Sequence, residues 1–203
     1  MSSENFNVKE TARTEAFSDG VFSIAITLLV LDLKDPVPKG GDLLIQDLIQ
    51  QLPAFFALMT SFFTILIMWV NHHNMFNYIT RIDRRFMFLN GFLLFFVTLT
   101  PYTTHLVGEL IMYSNSNAVA AIYSGTFFLL GLAWNILWRH ASSRHRLLGR
   151  HITDIQVQNI THAYHVGLLS YALSFFIAIF SGAASVLVIL VIAVYYASNK
   201  PYD

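Results

Sequence analysis

The 203-residue sequence is 55% hydrophobic and only 12% charged, has a mean hydropathy of +0.55, and balances twelve Lys and Arg against twelve Asp and Glu. An ordinary soluble domain is about a quarter charged, so this chain has too few polar groups to cover a water-facing surface and reads as an integral membrane protein. Zero net charge gives no global field for nucleic acid, and the absence of cysteine excludes disulfides, thiolate metal sites and cysteine nucleophiles.

The opening residues, MSSENFNVKETARTEA, mix acids with bases and lack the basic and apolar regions of a cleaved signal peptide. The first apolar helix is therefore expected to stay in the mature protein. A helix needs about 20 apolar residues to cross a ~30 Å hydrocarbon core. Six segments approach that length: Phe17 to Leu33, Pro53 to Tyr78, Phe86 to Gly108, Val119 to Trp138, Val157 to Phe180 and Ala183 to Ala197. The first and last are short unless flanking residues join them. The fifth begins with Gln156, Gln158, Asn159, Thr161, His162 and His165, so its first half is expected to face protein or water.

The longest connection, Lys34 to Leu52, opens with the turn-rich DPVPKGGD and continues into LLIQDLIQQL, whose apolar residues recur at helical spacing. That stretch reads as a short amphipathic helix lying on the membrane or on neighbouring helices. The other connections are short, and the FSDG stretch has no counterpart in the second half. The expected fold is all-α: one domain over residues 1–203, a single repeat of six transmembrane helices. Lys and Arg in the loops set the orientation. With the N-terminus inside, the inner side holds Lys9, Arg13, Arg81, Arg84, Arg85, Arg139, Arg144, Arg146, Arg150 and Lys200, and the outer side only Lys34 and Lys39. Both termini are expected to be cytoplasmic.

The first segment, RTEAFSDGVFSIAITLLVLDLKD, carries the most chemistry. At ~100° per residue, Ile24, Leu28 and Leu31 form one stripe flanked by Thr27, and Arg13, Phe17 and Gly20 continue that face toward the cytoplasm. Such a stripe is ordinarily a packing or lipid-facing surface. Ser18, Asp19, Ser23 and Thr27, however, are too many polar groups for a helix surrounded by lipid. Asp19 and Ser23 point to a different side, so the helix has a polar face that needs a protein partner and an apolar face able to line a lumen. The second helix returns to the cytoplasm ending in WVNHHNMFN, at the depth of Arg13 to Asp19. Trp69, Asn71, His72, His73 and Asn74 are therefore all candidates to satisfy Asp19, Ser18 or Arg13.

The histidines allow rival readings. His72 and His73, with His140, His145, His151, His162 and His165, are possible metal ligands, and Asp154 adds a carboxylate. No HExxH motif accompanies them, and the site is read as metal-free. His105 and Glu109 lie one turn apart near the outer end of the third helix, where a wetted interfacial pair is the simplest account. The run RHASSRHRLLGRH is a basic loop obeying the positive-inside rule and touching anionic headgroups. No phosphate-binding or dinucleotide glycine loop, nucleophile elbow or TVGYG filter is present. From these residues alone, a channel and a proton-coupled transporter relaying through Asp19 and His72/His73 stand level.

The motif separates them. Arg13-Thr-Glu-Ala-Phe17-Ser18-Asp19 matches the RxxxFSD signature at the start of the first helix, and the chain resembles the transmembrane protein 175 family, the endolysosomal potassium channels and their prokaryotic relatives. The animal proteins hold two six-helix repeats, whereas this chain holds one and looks like a prokaryotic member of the cell (inner) membrane. The resemblance implies a homotetramer in the lipid bilayer whose four first helices line a pore for potassium ions, with no cofactor and no catalytic residue. It implies a constriction at Ile24, with Leu28 and Leu31 as further apolar rings, and a selectivity role for Thr27. Arg13, Phe17, Ser18 and Asp19 then become structural, with Trp69, Asn71 and His73 as their partners. A ring of aliphatic side chains offers an ion no ligands, so it gates by dewetting.

Overall fold

The computed structural model describes residues 3–33, 49, 51–110 and 116–198. Among these residues six α-helices follow in order: α1 Ser3–Leu28, α2 Leu52–Tyr78, α3 Arg84–Leu110, α4 Ser116–Ser142, α5 Asp154–Ala178 and α6 Gly182–Ser198. The all-helical reading with six helices holds. Five of them are long and apolar enough to cross a membrane, and the shorter apolar stretch Gly182–Tyr196 lies in the sixth. The protein is thus a multi-pass membrane protein. The amphipathic segment expected at LLIQDLIQQL lies almost wholly outside the described residues, as do Lys34, Lys39 and Lys200.

Helix α1 begins at Ser3, so the polar residues before Phe17 lengthen the helix, and its membrane-length stretch starts at Thr11. Helix formation needs bonded backbone and reasonable propensity, and hydropathy marks only the part fit for hydrocarbon. Its last turn tightens to a 3₁₀ helix at Leu29–Asp32, and the chain leaves in an extended conformation at Leu33.

Two layers of contact build the bundle. Helices α3, α4, α5 and α6 pack in succession, with α2 against α3 and α6, around Phe86, Tyr123, Phe127, Leu137 and Trp138, all essentially inaccessible. Tyr164 meets Trp134 and Trp138 edge-on, at centroid distances of 5.7 and 5.6 Å, and Trp138 Nε1 donates to Thr161 Oγ1 at 2.9 Å. A buried hydroxyl cluster between α2, α3 and α4 is paired, as a low-dielectric interior favours: Ser61 Oγ lies 2.6 Å from Thr104 Oγ1 and 2.9 Å from the Tyr123 hydroxyl. A Cβ on Gly108 would meet the Ala54 backbone at 3.0 Å, so glycine is what lets α2 and α3 close. Helix α1 sits at the edge, packed on α2 and α3, and among the described residues it makes no helix contact with α4, α5 or α6.

The basic end of the bundle is clamped. Ile79 and Leu148 form an antiparallel bridge, with Thr80 N donating to Leu147 O at 2.9 Å and Gly149 N to Tyr78 O at 2.9 Å. Asp83, ahead of α3, accepts from His140 Nε2 at 3.0 Å and from Arg146 at 2.9 Å. Thr153 and Gln156 close a capping box at the start of α5, and Asp154 pairs with His145 at 2.8 Å. The basic loop is therefore a folded element.

Partial burial pushes the Asp83 carboxyl up, but hydrogen bonds from the Phe86 amide and His140, with the charges of His140 and Arg146, hold it below its ordinary value. A depressed carboxyl contributes stability above its unfolded pKa and loses it as pH falls through the folded value, so the window lies below about pH 4. The thermal midpoint of Asp83→Asn in detergent is expected to fall below that of the parent at pH 6, and the gap to shrink as pH drops below about 4. A gap that widens on acidification would contradict the clamp.

Candidate ion pathway

Helix α1 divides by face. Thr11, Ser18, Phe22, Ala25 and Leu29 recur at intervals of three, four and seven and are buried against α2 and α3. On the opposite side Arg13, Phe17, Gly20, Ile24, Thr27, Leu28 and Leu31 are exposed, with Ile24 at 61% and Leu31 at 74%. A run this apolar would ordinarily bury its most hydrophobic side. Here the protomer's core takes one stripe and leaves an equally apolar one uncovered. Leu31 lies in the 3₁₀ turn and keeps to the open side.

Hydrogen bonds fix the rotation that produces this division. Ser18 Oγ donates to the Thr14 carbonyl at 2.8 Å and accepts from Asn90 Nδ2 at 2.9 Å. Asn90 Oδ1 in turn accepts from His72 Nε2 at 2.9 Å. Ser18, His72 and Asn90 are all buried, and the imidazole is walled by Phe22, Phe76 and Trp134 at centroid distances of 5.3, 4.8 and 6.0 Å. The other imidazole nitrogen, Nδ1, has no hydrogen-bond partner among the described residues. Nearer the surface, Trp69 Nε1 donates to Asp19 Oδ1 at 2.9 Å, and His73 Nδ1 bonds Glu15 Oε1 at 2.8 Å. Glu15 and Asp19 stand one turn apart on α1, as do Trp69 and His73 on the antiparallel α2, so the two bonds form rungs of one ladder. Trp69 and His73 also stack, at 6.2 Å and 26°.

Of the expected partners, Trp69 and His73 face α1 and His72 reaches Ser18 through Asn90. Asn71 is turned elsewhere: two residues along a helix is about 200° of rotation, and it lines a cavity of about 60 Å³ with Met68, Trp134, Asn135, Tyr164 and Tyr196. Arg13 and Phe17 line a groove between α1 and α3 with Met87, Asn90 and Gly91. Asp19 is bonded to Trp69 rather than to either histidine, so no continuous Asp19–histidine relay is formed. Among the described residues, no group of three or more His, Cys, Asp or Glu is placed to hold a metal ion.

Sequence reasoning missed Asn90 and Glu15. Asn90 is the lone amide in RRFMFLNGFLLFF, a polar group that a hydrocarbon-spanning helix keeps only if it is paired. Glu15 was visible as the acid one turn before Asp19.

The fold and this edge helix define a polytopic α-helical membrane protein whose first helix keeps an apolar face outside the protomer's own core. A sequence model of the family described as the endosomal/lysosomal potassium channel TMEM175 matches residues 13–101. The chain is 41% identical over 190 residues to a potassium channel of Chamaesiphon minutus, covering 93% of this chain and 94% of the relative. It is 37% identical over 194 residues to a potassium channel of Streptomyces collinus, covering 95% and 94%. The crystal structure of a lysosomal potassium-selective channel TMEM175 homologue from Chamaesiphon minutus superposes with a TM-score of 0.85 at 39% identity, over 94% of this chain and 97% of that one. The chain belongs to the TMEM175 family.

Removing the hub of the buried chain leaves His72 and Ser18 without their amide partner, at about 1–3 kcal/mol per stranded group. Asn90→Ala is expected to lower the thermal midpoint clearly, whereas Asp19→Asn, which keeps an oxygen for Trp69, shifts it little. Melting followed by size-exclusion chromatography checks both. A larger loss in Asp19→Asn would place the anchor at Asp19 instead.

Proposed function

We propose that this chain is the subunit of a homotetrameric, potassium-permeable cation channel of the cell (inner) membrane, with both termini cytoplasmic and four α1 helices around the pore. One observation carries the reading: the uncovered stripe of Ile24, Leu28 and Leu31 on α1, in a chain whose full-length relatives are named potassium channels. A single helix cannot enclose a pore, so an apolar stripe serving as a lumen wall needs further copies around a common axis. Exposure alone does not separate lipid from lumen. Gly20, Ser23 and Thr27 on or beside the open side support the lumen, because a lipid-facing helix gains nothing from them.

Ile24 is the constriction and Leu28 and Leu31 are wider apolar rings beyond it. Aliphatic rings exclude water and ions together when narrow, so conduction responds steeply to small changes in radius. Selectivity falls to Thr27. Its Oγ1 donates to the Ile24 carbonyl at 2.9 Å, which spends the hydroxyl proton within the helix and leaves the oxygen lone pairs as acceptors. Four such oxygens beside the constriction offer a partly dehydrated cation its first ligands. Arg13, Phe17, Ser18 and Asp19 act on the conducting face indirectly, by setting the rotation of α1. No catalytic residue or cofactor enters.

Purified protein in liposomes with an outward potassium gradient is expected to conduct, Ile24→Asn to raise the flux by wetting the ring, and Thr27→Ala to shift the bi-ionic reversal potential toward equal potassium and sodium permeability. Absence of flux in the parent protein, beside an active control channel, would overturn the channel reading. An unchanged Ile24→Asn current or Thr27→Ala reversal potential would remove that residue from the filter.

A further inference from the structure

The clamped loop at the basic end builds a second site. Helix α4 ends at Ser142, and the 3₁₀ turn Ser143–His145 places Arg144 and His145 at positive φ, 55° and 52°. Two consecutive non-glycine residues in that region are unfavourable and persist only where surrounding contacts impose them. Those contacts are the Ile79–Leu148 bridge, the burial of Leu147 and Leu148, and the close turn at Gly149, where a Cβ would lie 2.6 Å from the His151 ring. The last turns of α4 and the imposed turn set Arg139, His140, Ser143 and Arg146 opposite Arg85 of α3, around an open groove of about 290 Å³.

Charge in this groove is not balanced. Its neighbouring carboxylate, Asp83, is shared by His140 and Arg146. Arg85 and Arg139 are exposed, and neither is in an ion pair among the described residues. One turn deeper on each helix the walls are Leu89 and Ile136, which line the same groove. Guanidinium groups therefore stand at the ends of two membrane-length helices, above an apolar floor that continues along the spans. That vertical order, cationic then apolar, is the order of a phospholipid's phosphate and acyl chains. A soluble anion has no use for the apolar floor.

We propose that the groove between α3 and α4 binds the phosphate of an anionic membrane lipid, with Arg85 and Arg139 as its ligands and Leu89 and Ile136 against the first acyl carbons. Guanidinium is suited to this, since its planar donors meet phosphate oxygens two at a time. The Asp83 clamp keeps Arg146 and His140 from closing the groove. Helix α4 does not touch α1, so the site lies off the Ile24 face, and the assignment stands whatever ion the protein conducts.

Native mass spectrometry of the purified protein with phosphatidylglycerol or phosphatidylcholine tests this directly. The parent is expected to retain phosphatidylglycerol in preference, and Arg85→Gln/Arg139→Gln to lose about tenfold or more of that preference. The double variant is expected to keep the parent's elution volume and melting temperature, because neither arginine belongs to the clamp. Arg150→Gln, an exposed arginine outside the groove, should bind as the parent does. The site is overturned if the double variant holds phosphatidylglycerol as well as the parent, or if Arg150→Gln loses as much. It is also overturned, as a lipid site, if equimolar inorganic phosphate displaces the lipid.

Discussion

A helix at the edge of a bundle can turn about its own axis unless something holds it, and in this protein the hold is a chain of buried hydrogen bonds. Thr14, Ser18, Asn90 and His72 are joined across α1, α2 and α3 by contacts of 2.8 to 2.9 Å. Slipping α1 by one residue would strand several of these donors and acceptors in a low-dielectric interior. The outer ladder, Glu15 with His73 and Asp19 with Trp69, fixes the same rotation from the aqueous end. With rotation set, Phe22, Ala25 and Leu29 enter the core and Ile24, Leu28 and Leu31 remain outside it.

In the proposed pore, that division separates stability from transport within one helix. Within the RxxxFSD motif, Ser18 and Asp19 are hydrogen-bonded to neighbouring helices, and in the proposed pore it is the aliphatic face that meets the ions. The rest of the chain has other duties. Helices α4, α5 and α6 make no contact with α1 among the described residues and supply the aromatic body around Trp138, Tyr123 and Phe127. Their basic end is folded by the Asp83 clamp and the Ile79–Leu148 bridge, which turns its arginines into a shaped surface.

Much of this was legible in the sequence. Hydropathy and length marked the six helices, and the 3.6-residue period marked the Ile24 stripe, because both depend only on local order. Topology placed Asp19 and Ser18 at the depth of the end of α2; Trp69 there bonds Asp19, whereas His73 bonds Glu15 and Ser18 bonds Asn90 of α3. What was not legible depended on a third helix. Asn90 joins Ser18 to His72 only because α3 packs beside both, and nothing in the spacing of α1 and α2 encodes that. Asn71 illustrates the same limit from the other side: its depth in the second helix made it a candidate partner, but 100° of rotation per residue sends it to the cavity by Trp134. The strained turn at Arg144 and His145 was equally hidden, since it is imposed by a loop more than sixty residues earlier in the chain.

The rotation of α1 matters for function only if its open face meets a common axis. Single-particle reconstruction of the protein in lipid nanodiscs measures this directly, through the number of subunits and the distance of each Ile24 side chain from the symmetry axis. The pore assignment predicts four subunits with Ile24 nearest the axis and α4 to α6 outermost. A particle with α1 on its perimeter and Ile24 against lipid would contradict it.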